Sequence, residues 1–274
     1  MIPNEKTKIL IEALPYIERY NNKIIVIKLG GNAMPEINNT ADDIAFLRRV
    51  GIKVVVVHGG GPEIDKELKK LGIISKFIKG LRHTDENVIT AVKKVFHRIN
   101  KRIVNKLKSK GVKSIDASSC IKVKQKSLEL GLVGEITKIE KEKIIGYLNL
   151  GYTPVISPLG IGIDNKKYNI NADTAASHTA VALNAEKLTI LTNVDGVMIN
   201  GKVLSHINSL TARKEIKKGG IIKGMIPKVE ACIYAVKNKC PKAHLINGLV
   251  PHSLLLEIFT DKGIGTEIVY KNGH

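Results

Sequence analysis

The feature that most constrains the fold is a strand followed by a glycine-rich turn and a helix, which occurs twice near the start of the chain. The apolar run Ile24–Leu29 ends at Gly30 and Gly31, and the run Lys53–Val57 is soon followed by Gly59–Gly61. Apolar runs of this length are typical of strands that are buried on both faces. Helical patterns follow both turns. This alternation predicts right-handed crossovers and a mostly parallel sheet that helices cover on both sides.

The remaining periodicity supports an α/β fold, which we predict to be a three-layer αβα sandwich with two lobes. Apolar residues at helical spacing predict helices over Glu5–Tyr20, Ala41–Val50, Glu63–Leu71, Asn87–Lys110, Ile144–Leu150, Ala175–Leu183, Thr211–Lys218, Lys228–Lys239 and Ser253–Thr260. Further strands are predicted over Tyr152–Ser157, Lys187–Leu191, Ala243–Ile246 and Thr266–Val269. Residues 115–135 alternate irregularly and indicate short strands or a hairpin. We place the lobe boundary near residues 182–186, which divides the chain into residues 1–183 and 184–274.

The composition narrows the class of protein. Of 274 residues, 44 are Lys or Arg and 25 are Asp or Glu, so the formal net charge is +19. The lysines are spread along the whole chain, Trp is absent and aromatic residues make up 4%, so we expect no binding to nucleic acid. No apolar run reaches the length of a membrane span, and we expect no membrane partner. Three cysteines without metal-ligand spacing argue against a zinc site or disulfides, and they predict a reducing compartment, the cytoplasm or, for an organelle-encoded chain, the plastid stroma.

Alternating polar residues mark the most informative segment, Tyr168–Ala176. Asn169, Asn171 and Asp173 fall at every second position, so an extended segment would place all three side chains on one side. The pattern then becomes helical, and a helix N-terminus supplies backbone N–H donors and a dipole that favours anions. The segment therefore predicts a site for a charged small molecule. The alternative is that Asp173 is simply the N-cap of that helix, preceded by turn-forming asparagines.

Basic side chains and glycine turns together indicate phosphoryl transfer. Lys28 stands at the end of the first strand, beside glycines whose small size lets backbone N–H groups approach phosphate oxygens. The P-loop and GxGxxG fingerprints are missing, and each turn alone also fits a tight strand-to-helix connection. Arg82 offers a guanidinium suited to a carboxylate, although Arg82 and Lys228 each also fit a solvated surface. The set lacks a general base, as expected when the nucleophile is already an ionised carboxylate.

Five motifs of this sequence resemble those of one known family. In the family's order and approximate spacing, they are Lys28–Met34, His58–Pro62, Gly80–Arg82, Tyr168–Ala176 and Gly224–Val229. The family is that of the N-acetyl-L-glutamate kinases, which belong to the amino acid kinase superfamily. The resemblance covers nearly the whole chain. It implies transfer of the γ-phosphoryl group of ATP to the side-chain carboxylate of N-acetyl-L-glutamate, a step of arginine biosynthesis.

The resemblance also implies which residues are catalytic and which bind the two substrates. Lys28 and Lys228 would neutralise charge on the transferring phosphoryl group from opposite sides, and Asp173 would orient both lysines. Residues 1–183 would bind the amino-acid substrate and form the dimer, and residues 184–274 would bind ATP. The expected substrate ligands are Gly60, Gly61, Arg82, Asn169 and Asn171. The expected phosphate and nucleotide ligands are Gly30, Gly31, Thr192, Asn193, Asp195, Gly196, Gly220 and Gly224. Mg²⁺ would arrive with the nucleotide, so we expect no metal site made by the protein.

The N-terminal helix and the C-terminal tail resemble the arginine-inhibited branch of the family. In that branch, N-terminal helices join three dimers into a hexameric ring, and arginine binds between this helix and the C-terminal segment. The resemblance implies a homodimer or hexamer, feedback inhibition by arginine, and a PII-type signalling protein as a partner. The candidates for the arginine site are Tyr16, His252, Glu257 and Gly263. Ordinary packing of the helix is the alternative.

Two other functions stay open, and two departures from the family pattern motivate the first of them. Asn193 stands where the family usually has an acid, and Lys223 stands where it usually has a glycine, both beside the expected ATP site. These changes suit a weakly active, arginine-sensing pseudokinase. A sister kinase for a carrier-linked aminoadipate or glutamate is the second alternative, because a basic surface suits an acidic carrier protein.

Overall fold

The computed structural model describes residues 3–31, 37–222, 224–261 and 263–270. The helices of this part of the chain are α1 (Pro3–Tyr20), α2 (Ile37–Arg49), α3 (Gly61–Lys70), α4 (Glu86–Ser109), α5 (Lys141–Asn149), α6 (Ala172–Ala182), α7 (Ser209–Lys218), α8 (Ile226–Lys237) and α9 (Ser253–Phe259). The strands are β1 (Ile24–Leu29), β2 (Lys53–His58), β3 (Phe77–Ile78), β4 (Leu81–Arg82), β5 (Ser114–Asp116), β6 (Ile121–Gln125), β7 (Gly134–Ile139), β8 (Thr153–Ile156), β9 (Leu159–Gly162), β10 (Lys167–Asn169), β11 (Lys187–Thr192), β12 (Met198–Ile199), β13 (Lys202–Val203), β14 (His206–Asn208), β15 (Lys242–Asn247) and β16 (Thr266–Val269).

One eight-stranded sheet carries the fold, with the strand order β14–β16–β15–β11–β1–β2–β8–β5. The strands from β15 to β5 run parallel, whereas β16 is antiparallel to β15 and β14 is parallel to β16. The prediction of a mostly parallel sheet is confirmed. Strand β1 lies between β2 and β11, so the segments on either side of the predicted lobe boundary share this sheet.

Side chains of the central strands alternate between two apolar layers. From β1, Val26 packs into the layer that contains residues of α5, α6 and α8, whereas Ile25 and Ile27 pack into the layer that contains residues of α2, α3 and α4. Both faces of the sheet are therefore apolar, which explains why the strands appear in the sequence as apolar runs. This arrangement confirms the predicted three-layer αβα sandwich.

The structure confirms the short strands and hairpin predicted around residues 115–135, but two further hairpins do not follow from the sequence pattern. Residues 115–135 contain most of β5, a 3₁₀ turn and β6, and β6 pairs with β7 in an antiparallel hairpin. This hairpin joins β9 and β10 in a second sheet, with the order β10–β9–β6–β7. The hairpins β3–β4 and β12–β13 have strands of only two residues. Strands this short form through tertiary pairing, which local periodicity does not report.

The structure also describes the state of the cysteines and the character of the helices. Cys120, Cys232 and Cys240 are unpaired and buried. Within the residues that the structure describes, each helix is too short or too polar to cross a membrane.

Candidate active site

The carboxyl ends of β1 and β2 bring the two glycine turns side by side. Gly30 donates its backbone N–H to the carbonyl oxygen of Leu191 at 3.2 Å, and Gly59 donates to the carbonyl oxygen of Leu29 at 2.8 Å. Glycine is required at position 30, because a Cβ atom there would lie 2.7 Å from the Leu191 oxygen. The turns thus edge the crevice in which open α/β sheets bind ligands.

Helix α6 brings Asp173 to these turns. The side-chain oxygen of Asn171 caps the helix by accepting the backbone N–H groups of Asp173 at 2.9 Å and Thr174 at 3.0 Å. Asp173 is therefore the second residue of the helix, and the alternative in which it serves as the N-cap is wrong. The extended segment ends earlier than the alternation suggests, because β10 stops at Asn169. A carboxylate in the first turn of a helix also interacts favourably with the helix dipole.

Asp173 joins two lysines from distant parts of the chain, and we call this arrangement the Lys–Asp–Lys bridge. Lys28 Nζ on β1 lies 2.8 Å from Asp173 Oδ1, and Lys228 Nζ on α8 lies 3.5 Å from Oδ2. The Lys28 and Asp173 side chains are each 6% exposed, and that of Lys228 is 22% exposed. Burial opposes the charge on Asp173, but the two ammonium groups outweigh it and lower the pKa of the carboxyl group. The structure therefore brings together all three residues that the sequence predicts to be catalytic.

A cavity opens on the Lys28 side of the bridge, and we call it the Arg82 cavity. Lys28 and Asp173 line it, and so do the predicted substrate ligands Gly60, Gly61, Arg82, Asn169 and Asn171. Apolar side chains complete its wall: Ile64, Phe77, Leu81, Phe96, Val133, Pro158 and Ile170. The sequence analysis does not find Phe96 or Val133, because each fits an ordinary core position in its helix or loop. The cavity combines fixed cations with an apolar wall, which suits a small organic anion.

The Arg82 guanidinium is held in place at the wall of this cavity. Its Nη1 atom lies 2.6 Å from Asp65 Oδ1 and also donates to the Ser75 hydroxyl. The guanidinium carbon lies 4.8 Å from the centre of the Phe77 ring. The side chain is only 7% exposed, so it is neither mobile nor fully solvated. A guanidinium fixed in this way is prepared to bind a ligand carboxylate.

A second cavity opens on the Lys228 side of the bridge, and we call it the Thr192 cavity. The predicted nucleotide ligands Thr192, Asn193, Gly196, Gly220 and Gly224 line it with Lys228. Apolar side chains form much of its surface: Val194, Met198, Ile221, Ile222 and Met225, of which the sequence analysis misses Met198. The surface is therefore suited to a flat apolar group at one end and an anion near Lys228 at the other.

The remaining predicted nucleotide ligands lie elsewhere. Asp195 is exposed and accepts a hydrogen bond from Asn247 Nδ2 at 2.8 Å, so the structure does not bring it into the Thr192 cavity. Gly31 lines the Arg82 cavity. Gly30 follows β1, and its backbone N–H donates to the carbonyl oxygen of Leu191 on β11. The segment Asn32–Met34 and Lys223 lie outside the described residues.

A third cavity lies between α1 and the C-terminal segment, and we call it the Glu257 cavity. Three of the four arginine-site candidates line it: Tyr16, Glu257 and Gly263. His252 lies apart from it, because its Nδ1 atom contacts Asp43 Oδ1 at 2.6 Å. Titratable residues from the sheet line the cavity instead, and the sequence analysis misses them: Lys187, Lys242, His244 and Glu267.

Glu257 is the electrostatic centre of this third cavity. Its Oε1 atom lies 2.8 Å from Lys187 Nζ and 2.9 Å from His244 Nε2. Burial would raise the pKa of Glu257, but the hydrogen bond from His244 and the charge of Lys187 outweigh it and lower the pKa to about 2. Burial and the Lys187 charge lower the pKa of His244, so we assign it as a neutral ring that donates through Nε2. Its buried Nδ1 atom has no hydrogen-bond partner within the described part of the chain.

The sequence matches one known family over most of its length. The sequence profile of the amino acid kinase family matches residues 23–247. The chain is 46% identical over 277 residues to the acetylglutamate kinase of Thermoanaerobacter pseudethanolicus, which covers 96% of this chain and 93% of that protein. It is 44% identical over 290 residues to the acetylglutamate kinase of Clostridioides difficile, which covers 99% of this chain and all of that protein.

The fold matches a solved structure as well. The N-acetylglutamate synthase of Neisseria gonorrhoeae, solved with coenzyme A and N-acetyl-glutamate, superposes with a TM-score of 0.90 at 24% identity. The match covers 97% of this chain and 64% of that one, and at this identity it supports the fold alone. The two similar sequences and the family profile show the family. This chain belongs to the amino acid kinase family, among the acetylglutamate kinases.

Proposed function

We propose that this chain transfers the γ-phosphoryl group of ATP to the side-chain carboxylate of N-acetyl-L-glutamate and so forms N-acetyl-L-glutamyl 5-phosphate. The observation that carries the proposal is the Lys–Asp–Lys bridge between the Arg82 and Thr192 cavities. One lysine of the bridge lines each cavity. A phosphoryl group that passes from one cavity to the other therefore stays beside a cation throughout the transfer.

The chemistry requires little more than positioning and charge. A carboxylate oxygen of the substrate attacks the γ-phosphorus, the new P–O bond forms, and the bond to the β–γ bridging oxygen breaks to release ADP. The attacking group is already ionised, so no side chain has to remove a proton. Lys28 and Lys228 neutralise charge on the phosphoryl oxygens, and Asp173 holds both ammonium groups in place.

The Arg82 cavity fits the amino-acid substrate in this reaction. Arg82 binds the α-carboxylate, and Asn169 and Asn171 offer amide groups to the same molecule. Gly60 and Gly61, at the N-terminus of α3, line the same cavity and offer backbone N–H groups to the reacting carboxylate. The apolar wall around Phe96 receives the methylene and methyl groups of the substrate.

The Thr192 cavity fits the nucleotide. Its apolar residues bind the base, and Lys228 at its inner end binds the transferring phosphate. Within the described ranges, no cluster of three or more His, Cys, Asp or Glu side chains is arranged to hold a metal ion. Mg²⁺ would enter with ATP and would neutralise part of the charge on its phosphates beside Lys228.

A trapping assay tests the proposed function. The purified chain is incubated with ATP, Mg²⁺, N-acetyl-L-glutamate and hydroxylamine, which converts an acyl phosphate into a hydroxamate that forms a coloured complex with added Fe³⁺. We expect hydroxamate to form only when ATP, Mg²⁺ and N-acetyl-L-glutamate are all present. Turnover of a carrier-linked glutamate or aminoadipate in place of the free amino acid would favour the sister kinase. Arginine binding without turnover of either substrate would favour the pseudokinase, in which Asn193 has weakened the nucleotide site.

The Glu257 cavity supports the proposal of an arginine site. Glu257 accepts hydrogen bonds, which suits a guanidinium, while Lys187 and Lys242 suit an α-carboxylate. Tyr16 of α1 also lines the cavity, so a ligand there contacts the N-terminal helix. A bound ligand therefore has a direct route to influence how α1 packs.

Glu257→Gln is expected to weaken arginine binding at least about tenfold, because truncating a buried charge partner costs that much or more. Isothermal titration calorimetry measures the dissociation constant for both proteins. The control is Glu18→Gln, an exposed change on α1, which should bind arginine as the unmodified chain does. Equal binding by Glu257→Gln and the unmodified chain would contradict an arginine site in this cavity.

Helix α1 also supports the proposed hexamer. It exposes four large apolar side chains at 52–72% of their surface: Ile9, Leu10, Ile11 and Leu14. A contiguous apolar face of this kind is typical of an interaction surface. We propose that α1 helices of neighbouring dimers pack together through it and so form a trimer of dimers.

Leu10→Glu is expected to convert the hexamer into dimers, because it places a charge in the centre of the apolar face. Light scattering coupled to size-exclusion chromatography measures the mass. Leu150→Glu changes a residue of equal type that is 70% exposed after α5, and it should leave the hexamer intact. A dimeric unmodified chain would contradict the proposal. Docking of a PII-type protein and placement in the cytoplasm or a plastid stroma stay predictions.

A further inference from the structure

His58 lies directly under the glycine turn of the Arg82 cavity. It is the last residue of β2 and is fully buried. Its Nδ1 atom lies 2.9 Å from the carbonyl oxygen of Gly59, and its Nε2 atom lies 2.9 Å from Ser157 Oγ. The ring also packs edge-on against Phe96, with the ring centres 5.7 Å apart. The proposed mechanism gives this side chain no role.

The partners of the ring determine which nitrogen carries the proton. A carbonyl oxygen only accepts hydrogen bonds, so the contact with Gly59 requires a proton on Nδ1. Burial lowers the pKa of His58 to about 4, so the ring is neutral near pH 7. Nε2 is then an acceptor, and the Ser157 hydroxyl donates to it.

A hydrogen-bond network connects His58 to two other walls of the cavity. Asn100 Nδ2 on α4 lies 3.2 Å from Ser157 Oγ and 3.2 Å from Ser118 Oγ. The backbone N–H of Ser157 donates to Ser118 Oγ at 2.9 Å. Phe96 on α4 and Pro158, which follows Ser157, both line the Arg82 cavity. The network therefore ties the glycine turn to the helix and the loop that face it.

The hydrogen bond from His58 to the Gly59 carbonyl also fixes the direction of the Gly60 N–H, because both groups belong to one peptide bond. The peptide is planar and trans, so its C=O and N–H groups point in opposite directions. When His58 holds the Gly59 carbonyl in the core, the Gly60 N–H has to point away from the core. Glycine has no side chain to restrict rotation, so the orientation of the turn depends on the hydrogen bonds that anchor it, and His58 supplies the one to the Gly59 carbonyl.

We propose that His58 is a positioning residue, whose Nδ1–H holds the Gly59 carbonyl and thereby aims the Gly60 and Gly61 N–H groups at the substrate carboxylate. The inference rests on the proposed function, in which these two N–H groups contact the amino-acid substrate. It assigns His58 an effect through the turn and no contact with a reacting atom.

Two amide variants separate the two hydrogen bonds of the ring. The Nδ2 atom of Asn in His58→Asn falls near the position of Nδ1 and keeps a donor for Gly59. The longer side chain in His58→Gln reaches the position of Nε2, so it keeps the Ser157 contact and loses the donor for Gly59. Both variants replace the ring by a smaller amide, so loss of ring packing affects both.

We expect His58→Gln to lower kcat/KM for N-acetyl-L-glutamate about tenfold, the size of one hydrogen bond, with a much smaller change in KM for ATP. We expect His58→Asn to recover most of that loss. A residue with only a packing role would make both variants equally defective and would affect both substrates alike. That result, or an unimpaired His58→Gln, would overturn the inference.

NMR spectroscopy tests the inference independently of catalysis. A long-range ¹⁵N–¹H spectrum of the histidine rings, assigned with His58→Asn, is expected to show the Nδ1–H tautomer from pH 6 to 8. The amide signals of Gly60 and Gly61 should shift in His58→Gln and stay near their original positions in His58→Asn. An Nε2–H tautomer would overturn the inference, whatever the activity. A lack of turnover by the unmodified chain would instead count against the proposed function.

Discussion

Lys28→Met is expected to lower kcat by about 10²–10³-fold while the chain still folds, the effect typical of losing one fixed charge-stabilising donor. Methionine keeps the apolar stem of the side chain and removes the ammonium group that lies 2.8 Å from Asp173. During transfer, negative charge is spread over the phosphoryl oxygens. The Lys28 side chain is 6% exposed, so water replaces its charge poorly.

Steady-state kinetics with both substrates at saturation measures this effect, and circular dichroism checks the fold. Lys23→Met is the matched control, because Lys23 is exposed and lies immediately before the same strand. The control should keep the kcat of the unmodified chain. If kcat of Lys28→Met stayed within threefold of the unmodified chain, Lys28 would have no part in the mechanism.

Asp173→Asn is expected to lower both kcat and the free energy of unfolding, the latter by about 3–5 kcal/mol. The substitution leaves the Lys28 ammonium buried without its anion and leaves Lys228 without its partner at 3.5 Å. Removing one member of a buried ion pair costs much more than removing an exposed one. Urea denaturation measures the stability. Asp42→Asn is the control, since Asp42 pairs with Lys110 but is 43% exposed, and its loss should cost less than about 1 kcal/mol.

The double variant Lys28→Met with Asp173→Asn tests whether the two residues act as a unit. Removing both charges restores electrical balance on that side of the bridge, so the double variant should be more stable than the sum of the single losses indicates. The kcat losses should also combine to less than their product. Additive stability and multiplicative kcat losses would show that Asp173 does not position Lys28.

The sequence predicts the central sheet well because its strands are buried on both faces. Strands β1 and β2 appear as apolar runs, and the glycines after them mark the turns in the structure. The two-residue strands β3 and β4 leave no such signal, although they place Arg82 at the Arg82 cavity. Their pairing depends on contacts with distant segments, and a local pattern does not contain that information.

The candidate sites likewise contain residues that the sequence predicts and residues that only the tertiary structure reveals. Lys28, Asp173 and Lys228 each lie in a motif that is recognisable in the sequence, and the structure brings them together. His244 sits inside a buried strand and looks like a core residue in the sequence. Its contact with Glu257 arises because β15 pairs with β16 and α9 packs against β15. The sequence predicts His252 as the histidine of that site, but its ring instead contacts Asp43 on α2.

Transfer of isotope tests most directly whether the side-chain carboxylate is the group that attacks the transferring phosphorus. N-acetyl-L-glutamate labelled with ¹⁸O in its side-chain carboxylate is phosphorylated by the unmodified chain, and hydroxylamine then attacks the acyl carbon and expels phosphate. Direct attack on the γ-phosphorus makes one carboxylate oxygen the bridging oxygen, so mass spectrometry should find one ¹⁸O atom in each phosphate released. Phosphate without ¹⁸O would mean that ATP loses its γ-phosphoryl group to another acceptor, and it would contradict the transfer across the Lys–Asp–Lys bridge.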